Sequence, residues 1–309
     1  MSLPQPVEAE DAERRLGLVF ALTAFFLWGV LPAYYKWTAA VDADVVVSHR
    51  ILWSVVFLGI FLGLRGRLGE VRDALLDRKR LPMLALSAAV ISVNWLVFIW
   101  AVTENRIIEI SFGYFCNPLV SVAIGLIVLK EKLSRWQAVA IAIAALAVAI
   151  QAVALDAFPW VSVGLAFSFA TYGYLRKMVA VGASPGLMVE SVLLAPFALA
   201  YLMYSGIWLQ QDVLPLDRPG LLLLLAGTGI VTAFPLALFA AGARRLPLSM
   251  IGLLQYMAPS LQLILAIFLY GEEIEPMRLA TFGLIWVSLA IFTTDTLYRR
   301  ERRPRGGVA

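Results

Sequence analysis

The stretch GYFCNPLVSVAIGLIVLKEKL, residues 113–133, and the stretch LQYMAPSLQLILAIFLYGEEI, residues 254–274, align at a constant offset of 141 residues. Phe115 falls on Tyr256, Pro118 on Pro259 and Glu131 on Glu272. Carried outward, the same offset lays Phe98 on Phe239 and Lys36 on Lys177. The identities are sparse, yet the offset preserves every boundary between apolar segments. Each unit holds five such segments, an odd number, so the second unit must enter a membrane from the opposite side. The charges agree, because Lys130-Glu131-Lys132 is basic whereas its mate Gly271-Glu272-Glu273 is acidic. Inverted repeats of this kind mark alternating-access secondary transporters, whose site lies near the midplane at the repeat interface.

Working outward from the repeat, ten spans read at 17–37, 44–64, 82–101, 109–129, 135–155, 158–178, 186–205, 219–240, 247–270 and 277–297. Each is close to the 20 or so residues that a hydrocarbon core of about 30 Å requires of a helix. The 309 residues are 61% hydrophobic and 15% charged, against roughly 45–50% and about 25% in soluble domains, so a soluble globular class is excluded. The expected organisation is a tail at 1–16, a first five-helix repeat at 17–155, a second at 156–297 and a basic tail at 298–309. Residues 1–16 lack the basic start and cleavage site of a signal peptide, so the first span is expected to remain as an anchor. Of 25 Lys and Arg, 20 collect on one side of the ten-span topology and four on the other, with Arg50 inside a span. Cytoplasmic loops gather positive charge, which places both termini in the cytoplasm.

The same counts exclude other classes. One cysteine, Cys116, and one histidine, His49, leave no site built on several such ligands and no intramolecular disulfide. No phosphate-binding G-x-x-x-x-G-K-[ST] loop occurs, so the chain itself is not expected to hydrolyse ATP. The basic residues flank apolar segments and read as topology signals, so no nucleic-acid partner is expected. No metal or cofactor is expected either. An intramembrane enzyme would need a nucleophile beside a base, and the lone imidazole lies near the interface. The remaining alternative to a transporter is a membrane scaffold or accessory subunit with a vestigial cavity.

A polar group deep in a span must face a cavity or a partner, because an unpaired charge at the bilayer centre costs about 2.5–3.5 kcal/mol even on insertion scales. At 1.5 Å per residue, Arg50 lies about 9 Å inside the external surface and Asn94 and Asn117 about 10–12 Å inside it. Along the fourth span Tyr114, Asn117 with Pro118, Ser121 and Gly125 form one stripe at helical spacing, and Gln255, Pro259, Gln262 and Ala266 form its counterpart on the ninth. These stripes read either as pore-facing or as small-residue surfaces for close helix packing. The matched prolines predict local breaks in both helices. Glu190 is the one carboxylate clearly inside a span, and its repeat mate is His49. Proton coupling is one reading of this pair; an ion pair of Glu190 with Arg176 or Lys177 and a neutral hydrogen-bonded His49 is the favoured one. For Arg50, a structural ion pair or a clamp on carbonyls is favoured over substrate contact. Trp95, Trp100, Tyr114, Tyr172, Tyr174 and Tyr256 share the spans of the stripes, and aromatic walls with amide groups suit small amphipathic solutes.

GVLPAYYK (29–36), HRILWS (49–54), NWLVFIWAV (94–102), GYFCNPL (113–119), KEKL (130–133), PWVSVGLAFSFATYGYLRK (159–177), AGTGIVTAFPL (226–236) and RLPLSMIGLLQYMAP (245–259) resemble the RarD branch of the EamA-type transporters, in the drug/metabolite transporter superfamily. The resemblance spans residues 15–298. It implies a ten-helix fold of two inverted five-helix repeats, a bacterial inner-membrane location and export or exchange of small solutes. The branch carries a chloramphenicol-sensitivity or permease label, which fixes no physiological substrate. Superfamily relatives enclose a cavity between helices one, three, four, six, eight and nine, and the resemblance then implies a lining from Tyr35, Asn94, Trp95, Tyr114, Asn117, Tyr172, Tyr256 and Gln262. At 103–106 this sequence reads TENR, a charged variant of a loop that is more often neutral or His-containing in the branch.

Overall fold

The computed structural model describes residues 6–38, 40–103, 107–153, 160–268 and 276–301, with side chains described there except at 6–10, 32, 36, 99, 102, 103, 107–111, 151, 263, 266, 278 and 296–301. The described residues form twelve α-helices: α1 Pro6–Lys36, α2 Ala43–Leu64, α3 Leu68–Leu76, α4 Leu81–Thr103, α5 Ile107–Ile127, α6 Arg135–Val153, α7 Trp160–Met178, α8 Ala183–Ile207, α9 Pro219–Arg245, α10 Leu248–Leu254, α11 Met257–Phe268 and α12 Pro276–Glu301. Helices are the expected outcome of such apolar segments, since in lipid every backbone N–H and C=O must be satisfied within the segment. Five of them are long and apolar enough to cross a membrane: Asp11–Tyr35, Ala43–Leu64, Leu81–Phe98, Ala183–Ile207 and Pro219–Arg245.

Most packing joins the first six helices to the last six. α1 lies on α9 and α11, α2 on α8 and α9, α4 on α7, α5 on α7 and α10, and α6 on α12. Two glycines permit the closest approaches to the backbone of another helix. A Cβ at Gly229 on α9 would run into Trp53 of α2, and one at Gly252 on α10 would sit 2.6 Å from the Pro118 carbonyl of α5. An aromatic cluster of Phe25, Trp28, Phe169, Tyr172 and Phe239 fills the space between α1, α7 and α9, with ring centroids 5.4–6.2 Å apart.

Two features differ from the sequence reading. The segment between the second and third spans contains α3, whose Val71 and Ala74 are buried in a cluster with Leu62, Leu84, Val179, Val181 and Val189. At nine residues this helix is too short to stand out by hydropathy and is held by its apolar face. In the exposed turn that follows, the backbone N–H groups of Lys79 and Arg80 hold the Asp77 carboxyl below the usual carboxylate range. The matched prolines also act unequally. The ninth span is interrupted at Gln255 and Tyr256, three to four residues before Pro259, whereas α5 runs unbroken through Pro118. A proline removes the N–H that the residue four back would accept and crowds that turn. In α5 the neighbouring α10 packs on this point through Gly252, and Tyr256, at the break after α10, donates its Oη at 3.0 Å to the carbonyl of Phe115, the residue after the one whose acceptor Pro118 leaves free.

Candidate transport site

Glu190 on α8 lies at the centre of a buried polar knot. Its Oε1 accepts hydrogen bonds from Ser87 Oγ of α4 (2.7 Å) and Arg176 Nη1 of α7 (3.1 Å), and its Oε2 from Tyr172 Oη (3.4 Å). Arg176 and Glu190 are 0% and 2% exposed, so this is an ion pair with almost no contact to solvent. Arg176 Nη2 also donates to the Ala183 carbonyl at 2.9 Å, and Gly186 has no Cβ because the guanidinium occupies that space. The repeat mate of Glu190, His49, is buried and pairs through Nε2 with the Val213 carbonyl at 2.7 Å. A carbonyl only accepts, so Nε2 carries the proton.

Beside this knot, between α2, α4, α7, α8 and α9, is a cavity with room for about one water molecule. Its polar lining is Ser54, Tyr172, Glu190, Ser191 and Thr232, and Trp95 closes one wall. Arg50 stands one turn before Ser54 on α2. Its guanidinium carbon lies 4.5 Å from the Trp95 ring centroid, a cation–π contact.

Several residues singled out from sequence are engaged inside the bundle. Asn94 Nδ2 donates to the Leu165 carbonyl (3.0 Å) and Ser168 Oγ (2.8 Å) of α7. Gln262 Nε2 donates to the Trp28 carbonyl at 3.2 Å. Tyr172 stacks on Phe239 and reaches Glu190, and Tyr256 is fully buried on Phe115. The lower part of the α5 stripe packs against α10: Gln255 Nε2 donates to Ser121 Oγ at 3.1 Å, and Gly125 lies against Glu131 and Ser249.

Others are open. Tyr35 Oη, Arg50 Nε, Asn117 Oδ1, Arg176 Nε and Thr232 Oγ1 are buried yet meet no hydrogen-bond partner among the described residues. Such atoms are rare in native proteins and call for water or a ligand. Tyr114 is 44% exposed, packs on Phe98 and lies within electrostatic range of Arg50. Ser54, Ser87 and Thr232 escaped the sequence reading, although Thr228 and Thr232 share a helix face at a spacing of four. Residues 104–106, the charged loop variant, lie outside the described residues, as does the side chain of Ala266.

At the end of the bundle where α5, α7 and α9 terminate, two charged side chains tie helix ends together. Glu131 accepts from the backbone N–H of Leu248 (2.6 Å), the backbone N–H of Ser249 (2.9 Å) and Ser249 Oγ (2.7 Å). Lys177 donates to the carbonyls of Ala243 (3.1 Å) and Leu246 (2.5 Å). Anionic oxygens suit a helix start and an ammonium suits a helix end, so complementary charge ties these helix ends together.

Residues 15–152 match the EamA-like transporter family. Protein RarD of Escherichia coli K12 is 40% identical over 297 residues, covering 94% of this chain and 99% of that protein. The chain belongs to the RarD branch of the EamA-type transporters. Protein RarD of Streptomyces exfoliatus is 42% identical over 299 residues, 97% of this chain and 94% of its own length. The Bacillus subtilis protein YojE, described as an uncharacterized transporter, is 40% identical over 288 residues, 92% and 95% of the two chains. A crystal structure with 18% identity superposes with a TM-score of 0.69 over 90% of this chain and 97% of its own, a likeness of fold alone. This RarD-branch chain is therefore a multi-pass membrane protein of a transporter family.

Proposed function

We propose that the chain is a secondary transporter that moves small amphipathic solutes by alternating access. In this reading it has ten spans, with α10 and α11 together forming the ninth, arranged as two inverted five-helix repeats at 17–155 and 156–297 with both termini in a bacterial cytoplasm. One observation carries it: elements pack on their own repeat mates. α2 lies against α8, α6 against α12 and α5 against α10, as a two-fold axis between inverted halves requires, and the α1–α9 contact has its counterpart in α4–α7. The mates Phe115 and Tyr256 touch each other directly.

The substrate positions are Tyr35, Trp95, Tyr114 and Asn117, which keep open polar atoms or open ring faces, with Asn94, Tyr172, Tyr256 and Gln262 joining as the halves rearrange. No covalent chemistry is required, only different affinities for the substrate in two states. Glu190 is read as a structural anchor through Arg176, with His49 as its neutral counterpart; proton coupling through them is the competing assignment.

The test is reconstitution in liposomes, with counterflow of labelled aromatic amino acids and chloramphenicol followed with and without a pH gradient. Saturable, protein-dependent exchange supports the transporter. Absence of flux across a broad solute panel, from folded protein, removes it. Tyr114→Ala and Asn117→Ala are expected to cut flux about tenfold each, the equivalent of roughly 1.4 kcal/mol of lost substrate contact, while leaving folded protein in the membrane. Unchanged flux in both would take α5 out of the site.

A further inference from the structure

Among the described residues, the charges on α2, α7 and α8 are not all paired. Glu190 is neutralised by Arg176 at 3.1 Å. Asp44, at the start of α2, accepts from the Val45 backbone N–H at 2.8 Å and from Tyr201 Oη. Arg50, on the second turn of the same helix, makes no ion pair among the described residues; its guanidinium lies over the face of Trp95. An arginine inside a span whose nearest support is an indole ring has an unmet electrostatic requirement, because a ring quadrupole supplies only part of what a carboxylate would.

The geometry names what is missing. Arg50 Nε is buried and has no hydrogen-bond partner among the described residues, and Nε together with one Nη forms the side-on fork that donates two parallel hydrogen bonds to a carboxylate. Trp95 backs the guanidinium and also walls the cavity, while the half-exposed Tyr114 stands within electrostatic range. An Asn117 oxygen and the Tyr35 hydroxyl, both without a hydrogen-bond partner among the described residues, lie on α5 and α1.

We infer that Arg50 is the substrate's anion receptor, and that this transporter takes solutes with an aromatic or apolar body ending in a carboxylate. The inference rests on the transporter reading above and narrows its substrate class. A neutral drug-like solute would leave Arg50 as it is, whereas a carboxylate would complete its fork and bring the charge of the site to zero before the substrate crosses. Arg50 thus also discriminates against cations, which would meet a bare guanidinium.

The test is binding to the purified full chain, so that it is independent of flux. Benzoate and benzoylglycine are compared with their neutral isosteres, benzamide and benzoylglycinamide, by thermal stabilisation and by equilibrium dialysis at millimolar concentration. The carboxylates are expected to bind at least tenfold more tightly than the amides. Arg50→Gln is expected to erase that preference, and Arg50→Lys, which keeps the charge but not the fork, to retain part of it. Equal binding of acid and amide, no binding of either carboxylate, or a preference that survives Arg50→Gln overturns the assignment. If Arg50→Gln does not fold, Arg50→Lys and the wild-type comparison still decide it. Flux of neutral solutes without any carboxylate preference would leave the transporter standing and remove Arg50 as receptor; carboxylate binding without flux would do the reverse.

Discussion

Glu190 shows how far the role of a single buried charge depends on what faces it. Its partner Arg176 is 0% exposed, so Glu190→Gln leaves a guanidinium buried without a counter-charge. The expected loss is about 3–5 kcal/mol, read as a lower melting temperature of purified protein, with pH dependence of any flux unchanged. Replacing both partners, Arg176→Met with Glu190→Leu, is expected to recover most of that loss because no orphan charge remains. A flux that loses its pH dependence in Glu190→Gln, at wild-type stability, would instead assign Glu190 to coupling. At this scale the sequence was half legible. Which residues are polar follows from the sequence alone, and Tyr35, Arg50 and Asn117 carry buried atoms without a hydrogen-bond partner among the described residues. That Asn94, Gln262 and Tyr256 are engaged by α7, α1 and α5 was not legible, because a donor's acceptor on another helix depends on packing that spacing along one helix does not encode.

The crossing of α5 and α10 makes the same point for elements. Most helix ends fall within a few residues of the apolar segments read from hydropathy, whereas α1 starts at Pro6, eleven residues before the expected 17. Where a segment breaks is a tertiary matter: equivalent prolines interrupt the ninth span but not α5. Of the α5 stripe, read as pore-facing or packing, Pro118, Ser121 and Gly125 pack against Gly252, Gln255 and Ser249, and Tyr114 is 44% exposed. Gly252→Ala places a Cβ 2.6 Å from the Pro118 carbonyl, and a backbone atom cannot swing aside. The helices must separate, at a cost of about 1–3 kcal/mol. The control is Gly164→Ala on α7, where a Cβ meets nothing within 4 Å and better helix propensity is expected to give about 0.5–1 kcal/mol of stabilisation. Thermal unfolding of the two variants should therefore shift in opposite directions; equal shifts would mean the α5–α10 contact is not close-packed in the membrane.

For the molecule as a whole, the 141-residue offset carries two charges that tie helix ends onto residues of the same type. Glu131 and Lys177 tie α5 and α7 to α10 and α9, and their mates at the 141-residue offset are Glu272 and Lys36. Glu272 and the Lys36 side chain lie outside the described residues, so their part in the cycle is a prediction from inverted symmetry. Alternating access requires two closures of similar strength at opposite ends, because substrate binding can bias the equilibrium only by its difference in affinity for the two states. Removing either carboxylate's charge should therefore tilt one equilibrium in opposite directions. Loss of charge-assisted hydrogen bonds is worth about 1.5–3 kcal/mol, at least a tenfold change in population. In a Cys116→Ser background, Val122→Cys reports the interface beneath Gly252, where Val122 is 2% exposed, and Leu263→Cys, its repeat mate, reports the other end. Labelling by a membrane-impermeant maleimide should rise about tenfold at Val122→Cys and fall at Leu263→Cys in Glu131→Gln. Glu272→Gln should give the reverse, and the double variant should return both rates toward the wild-type balance. If each substitution raised labelling at its own end without lowering it at the other, the two ends would open independently, and the inverted repeat would be an inherited architecture without an alternating cycle.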